Sequence, residues 1–249
     1  MTLWRLEWLR MVRTPRALAL GAVFVAVGLI EPVVTRYEST LFAHVGNGVR
    51  ISAPPPTPAD GLSGYVSEIG FVGLILVVIL TASAFSFDAR PGLATFLRTR
   101  ISSTWQLVMP RFVACSAGAT VAYVLGTIAA WFQIRSLLGS LPAAGLLAGM
   151  LCGTVYVTFA VAVTALAASI GRGTLATAGI AFGVLLALPI LGTIDTIANW
   201  LPSALVNAPV DLVDGAQQLP HFLPALAVTV VASAAAVYAA AVRLRSREI

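Results

Sequence analysis

The sequence predicts an all-α membrane protein with six transmembrane helices, an N-terminal interfacial amphipathic helix and a re-entrant segment before the last helix. Three observations predict it. Of the 249 residues 59% are hydrophobic and only 10% charged, with a mean hydropathy of +0.93, well above what a water-soluble domain carries. The apolar residues gather into six runs close to the roughly 20 residues that cross a hydrocarbon layer. The 15 cationic side chains are all arginine and stand beside those runs, which speaks for membrane topology rather than for a nucleic-acid face. Residues 1–249 therefore read as a single transmembrane domain embedded in the lipid bilayer.

Residues 1–14 are too polar to span but are amphipathic. On a helical wheel Trp4, Trp8, Met11 and Val12 share one face, while Glu7, Arg10 and Arg13 lie opposite. That is the pattern of a helix lying in the interface, and two tryptophans one turn apart favour the headgroup layer. No small-residue cleavage pattern accompanies the first apolar run, so it is expected to remain as a span. The spacing predicts spans over 16–35, 63–87, 106–132, 142–170, 174–194 and 222–242. Glu31 and Pro32 interrupt the outer end of the first. From 136 to 171 there is no charge, and only Leu141-Pro142 marks the handover between helices.

Two connections on the outer side stand out. Residues 36–62 include Ala53-Pro54-Pro55-Pro56-Thr57-Pro58, which predicts an extended polyproline spacer. Residues 195–220 are too apolar for a plain aqueous loop. Trp200, Leu201, Pro202 and Leu205 are assigned to the re-entrant segment, where irregular backbone is held against protein or water.

Orientation follows from the arginines. With the N-terminus inside, the cytoplasmic segments hold Arg5, Arg10, Arg13, Arg16, Arg90, Arg98, Arg100, Arg111, Arg172, Arg243, Arg245 and Arg247, leaving only Arg36, Arg50 and Arg135 outside. An even number of spans with both termini cytoplasmic satisfies this distribution, in the cytoplasmic membrane.

What chemistry the chain lacks narrows its function. A phosphate-binding P-loop ends in Lys-Ser or Lys-Thr, and there is no lysine, so no ATP site is expected in this chain. Charge is missing from the middle of every predicted span, where an ion- or proton-coupled carrier usually holds it. Cys115 and Cys152 lie in apolar runs without a paired spacing, so they read as small buried hydrophobes and no metal site is expected. Gly61-Leu62-Ser63-Gly64 resembles the serine motif of rhomboid-type intramembrane proteases, with His221 as the base to be sought. That family carries its serine deep in a water-filled cavity, however, whereas Ser63 stands at the edge of the second span, where it is expected to cap the helix.

The most informative stretch is the coupling segment, residues 88–104. Pro91-Gly92 breaks the incoming helix, and 93–100 can form a short amphipathic one with Leu93, Phe96 and Leu97 on its apolar face, beside Arg98 and Arg100. Such an element suits docking into a groove on a partner. Here the chain resembles the ABC transporter type-2 permease family, whose members show Gly-Thr-Leu-Glu, then leucines, then Thr-Pro-Val-Ser-Arg and an aromatic or charged residue. Gly92 matches the glycine, Phe96 and Leu97 the leucines, Thr99-Arg100 the turn, Ser103 the serine and Trp105 the aromatic. Thr95, Ile101 and Thr104 replace the glutamate, proline and arginine. In layout the resemblance covers the whole chain: interfacial helix, six spans, apolar segments before the last span and a basic C-terminus.

The resemblance implies the permease subunit of an ATP-driven exporter of a hydrophobic or amphipathic substrate such as a drug, lipid or peptide. It further implies a second permease copy or related chain and two cytoplasmic ABC ATPase subunits, which carry the ATP and magnesium. Arg90, Gly92, Phe96, Leu97, Arg98, Arg100 and Trp105 would then form the ATPase-coupling surface, with Arg98 and Arg100 bonding partner carboxylates in place of the missing glutamate. The residues alone also admit an ion-coupled or passive carrier, or a membrane scaffold.

Overall fold

The computed structural model describes residues 3–13, 15–45, 55–85 and 105–246. Its elements are α1 (Leu3–Arg13), α2 (Pro15–Val45), α3 (Pro58–Glu68), a π-helical turn (Ile69–Gly73), α4 (Leu74–Phe85), α5 (Trp105–Leu137), α6 (Ala143–Ile170), α7 (Gly173–Leu191), α8 (Asp195–Ala198), α9 (Ala204–Asp214) and α10 (Leu219–Ser246). Among the described residues there is no strand, and six helices are long and apolar enough to cross a membrane: Ala17–Glu38, Pro58–Phe85, Trp105–Leu137, Ala143–Ile170, Gly173–Leu191 and Leu219–Arg245. Only helices satisfy every backbone group in lipid without a closed sheet, so the all-helical build follows from the composition.

The six spans coincide with the six predicted runs, and the differences lie at their ends. Glu31 and Pro32 do not interrupt α2, which runs on through residues assigned to a connection. Proline deletes one hydrogen bond, to the carbonyl four residues back, but an apolar surrounding penalises breaking the helix altogether. The second span starts at Pro58, not at 63. Thr57 caps it: its hydroxyl accepts from the Asp60 amide, and the Asp60 carboxylate accepts from the Thr57 amide at 2.7 Å. Ser63 is therefore an exposed residue inside α3 and no cap, and Pro58 is the first residue of the helix rather than part of an extended spacer. The α5 helix continues to Leu137, five residues past its predicted end, and α7 stops at Leu191 where Gly192 caps it. The coupling segment falls in residues 86–104, outside the described ones.

At the centre lies α6, whose middle is buried almost all round, including Phe159, Ala160, Val161, Ala162 and Ala165. Two apolar clusters meet on it. One joins Phe24, Tyr65, Val108, Ile134 and Val161; the other joins Val78, Phe159, Leu185, Leu205 and Phe222. Helices α2 and α5 cross in close contact because Gly28 and Gly126 bring their backbones together; a side chain at Gly28 would strike the Gly126 carbonyl. Cys115 and Cys152 are both free thiols buried in these clusters, as their apolar settings led one to expect.

Candidate functional site

The interfacial helix α1 is fastened to the bundle through charge. Arg111, one turn into α5 and only 5% exposed, donates from Nε to Glu7 Oε1 at 2.9 Å and from Nη1 to the carbonyl of Ala84 at 3.2 Å. Glu7 is 9% exposed, and Arg10 Nη1 stands 4.0 Å from its other oxygen. One turn along α1 from Glu7, Met11 reaches into the space over Gly118. A single guanidinium thus ties together α1, the last turn of α4 and the first turns of α5. Above it lies a cavity of about 60 Å³, lined by Glu7, Arg10, Met11, Leu20, Leu80 and Arg111 among others. An ion pair this deeply buried persists only where each charge has its partner and further hydrogen bonds.

The helix is therefore rotated from the wheel-based expectation. Trp4 and Trp8 are half exposed at 53% and 52%, as befits the interface, while Glu7 faces inward on the same side as Met11. The side chain of Val12 lies outside the described residues. Two signals in the sequence could have found the clamp. Glu7 is the one acid in the leader, and Arg111 sits inside an apolar run, where a charge needs a counterion.

Of the residues assigned to the coupling surface, Trp105 opens α5 and is 42% exposed, while Arg90, Gly92, Phe96, Leu97, Arg98 and Arg100 lie outside the described residues. What the structure does place are the two flanks of that segment: α4 ends at Phe85, and α5 begins at Trp105. The bond of Arg111 to the Ala84 carbonyl joins them.

At the opposite end of the bundle lie residues 192–218, which connect α7 to α10 and include the stretch assigned to the re-entrant segment. After α7 the chain makes the single turn α8, and α9 packs down the first turns of α6. Gly145 lies against the backbone of Leu212, Gly149 against that of Pro209, and Gly70 faces the side chain of Val206. The N-terminal end of α9 is thus its deepest part. Leu205 is fully buried and Pro202 is buried, whereas Leu201 is half buried and Trp200 remains 57% exposed at the mouth. Gly215, with φ of 73°, ends α9 in the left-handed conformation that glycine adopts without strain. Partial burial raises the Asp211 carboxyl above its ordinary value; nearby His221 opposes the rise and Asp214 reinforces it.

Ser63 makes no hydrogen bond to a base among the described residues, and His221 packs edge-on against Phe222 at 5.4 Å between ring centres. The contact that would activate a serine is not formed between them. Among the described residues no group of three or more His, Cys, Asp or Glu side chains is placed to hold a metal.

A second feature lies where several helices pass their midpoints. The π-helical turn Ile69–Gly73 opens a cavity of about 40 Å³ bounded by Phe24, Gly70, Tyr123, Gly153, Tyr156 and Val206 among others. Gly153 makes room there, since a side chain would collide with the Tyr123 hydroxyl. Tyr65 hydrogen-bonds Thr127 at 3.3 Å beside it.

No family model matches the chain, and no solved structure matches it. The chain is similar to YxlG of Bacillus subtilis (strain 168), an uncharacterized transmembrane protein, at 21% identity over 209 residues covering 82% of this chain and 81% of the relative. Six apolar helices and a relative of the same extent that is itself named a transmembrane protein lead to one conclusion: the chain is a membrane-embedded protein that crosses the bilayer several times.

Proposed function

We propose that the chain is the transmembrane permease subunit of an ATP-driven ABC exporter. It moves a hydrophobic or amphipathic substrate out across the cytoplasmic membrane, and its termini and the 88–104 segment face the cytoplasm. A separate pair of ATPase subunits binds ATP and magnesium. They dock on the arginine-flanked segment, and a second permease copy or related chain completes the pathway. Closure of the ATPases pushes on residues 88–104, and the push passes into α4 and α5.

The observation that carries this reading is the Arg111 clamp. It joins both flanks of the proposed docking segment to each other and to the interfacial helix, so a displacement applied between Phe85 and Trp105 is shared by three helices rather than absorbed in a loop. The motif of residues 92–105 and the lack of a lysine-bearing P-loop support it from the sequence.

The test is to solubilise the tagged chain from its native membrane in mild detergent and to assay magnesium-dependent ATP hydrolysis in the purified complex. The expected result is an associated ATPase, lost when Arg98→Glu and Arg100→Glu are combined while the chain itself remains folded. A complex that holds no ATPase, in a chain whose transport runs on an ion gradient alone, would show the reading to be wrong.

A further inference from the structure

The cavity beside the Arg111 clamp has two unlike ends. Its rim is ionic: Arg111 Nε bonds Glu7 Oε1, the Arg10 guanidinium stands 4.0 Å from Glu7 Oε2, and all three residues line the cavity. Two cations meet one anion there. The Arg10 side chain is 40% exposed, and the lining residues Ala17 and Leu80 are only half buried, so the rim opens outward. Away from the rim the walls are apolar, supplied by Leu20 of α2, Val77 and Leu80 of α4 and Ala119 of α5, with Thr81 as the single hydroxyl. Arg111 bonds the Ala84 carbonyl, which fixes the rim at the last turn of α4. From there the wall runs back to Val77, roughly 10 Å at 1.5 Å per residue.

The two ends together decide what fits. An amphipathic helix such as α1 lies at headgroup depth, which puts the rim in the headgroup layer and the walls below it in hydrocarbon. A cationic occupant is disfavoured, because Arg5, Arg10 and Arg13 are exposed on the same helix and Glu7, the one acid of residues 1–30, is already engaged by Arg111. A soluble anion would answer the rim but leave the apolar walls unfilled, and a neutral lipid would fill the walls but leave the excess cation unanswered. We propose that this cavity binds an anionic phospholipid, whose phosphate pairs with the Arg10 guanidinium and whose first acyl carbons lie against Leu80, Val77 and Leu20. Guanidinium suits phosphate through paired, charge-assisted hydrogen bonds. At about 60 Å³ the space takes the top of one acyl chain, and the rest of the chain continues in the bilayer. Such a lipid is a second fastening of α1 to the bundle rather than cargo, and it stands apart from the exporter reading.

The experiment uses the purified full-length chain in phosphatidylcholine nanodiscs doped with a phosphatidylglycerol that carries a diazirine close to its acyl ester. The matching phosphatidylcholine probe serves as its neutral twin, and adducts are mapped by peptide mass spectrometry. The expected result is adducts on residues 77–84 and 114–119, at least fivefold more abundant from the anionic probe. Arg10→Gln should remove that advantage while Arg10→Lys keeps most of it, and Ala17→Leu, which narrows the opening, should cut the adducts at least fivefold. The contact of Arg10 with Glu7 is long and partly exposed, so its loss costs little stability. Circular dichroism melting reports whether each variant is folded, and either one that folds decides the matter. Equal labelling by the two probes, adducts undiminished in folded Arg10→Gln or Ala17→Leu, or adducts only on outward positions such as Val121 and Leu125 overturn the proposal. Labelling abolished by millimolar inorganic phosphate overturns it too, by assigning the rim to a soluble anion. Such a failure would leave the ATPase association test untouched.

Discussion

At the scale of single residues the structure turns on Arg111, because it is where burial and charge conflict. Removing one partner of a buried ion pair leaves the other uncompensated, at a cost of roughly 3–5 kcal/mol, whereas replacing both by apolar groups of similar size is often close to neutral. Arg111→Leu is therefore expected to lower stability by about that amount, with α1 released from the bundle. The double variant Glu7→Leu with Arg111→Leu should recover most of the loss, short of the hydrogen bond to Ala84. Thermal unfolding of the purified chain in detergent measures both, and a double variant no better than the single would mean that the two charges are not coupled. The stability of the double variant also separates fastening from transmission: in the exporter reading it stays folded while coupling between ATP hydrolysis and transport declines, because an apolar contact holds α1 without directing it. Arg111 was visible in the sequence as a charge inside an apolar run, and Glu7 as the one acid among the arginines of the leader. Their partnership was not, since it joins positions 104 residues apart and depends on the rotation of α1 about its axis.

At the scale of elements the α9 helix shows what a close backbone contact demands. At Gly149 a side chain would overlap the backbone of Pro209, which has no flexible end to move aside. Gly149→Leu should push α9 off α6 and destabilise the chain by roughly 1–3 kcal/mol, the usual range for overpacking. Hydrogen exchange should rise across Ala204–Asp214 and stay unchanged in α2. The matched control is Gly179→Ala on α7, where nothing lies within 4 Å. There the substitution should be neutral or stabilise the helix by about 0.5–1 kcal/mol, the ordinary glycine-to-alanine gain. Equal effects from the two substitutions would mean that α9 is not seated on α6. The elements themselves were largely legible. Apolar runs gave all six spans, and the tryptophan-bearing stretch from 197 was recognised as more than a loop. Boundaries were less so, for local reasons: Thr57 caps the second span through a carboxylate three residues on, while Pro32 passes through a helix whose surroundings forbid a break. The π-turn left no mark in the sequence beyond two glycines, Gly70 and Gly73, which lie against Val206 of α9 and Phe24 of α2.

At the scale of the whole molecule, an even number of crossings puts the interfacial helix and the basic C-terminus at one end of the bundle and the re-entrant segment at the other. In the exporter reading the cytoplasmic end is assigned from charge: the arginines cluster at α1, in residues 86–104 and in the last turn of α10, whereas Asp211 and Asp214 belong to the opposite end. The exporter reading depends on this, because ATP is intracellular and the docking segment has to meet it. The arrangement can be tested without any partner or substrate. Both native cysteines are buried, so single cysteines introduced at exposed sites report cleanly. With a membrane-impermeant maleimide on intact cells, Gln217→Cys in the turn after α9 should label, and Arg245→Cys near the end of α10 should label only after the membrane is opened. The reverse pattern would place residues 86–104 outside the cell, out of reach of any ATPase. The six-helix fold would survive that result unchanged, because it rests on apolar burial and close helix packing; the clamp at Arg111 would then have to be explained as an anchor alone.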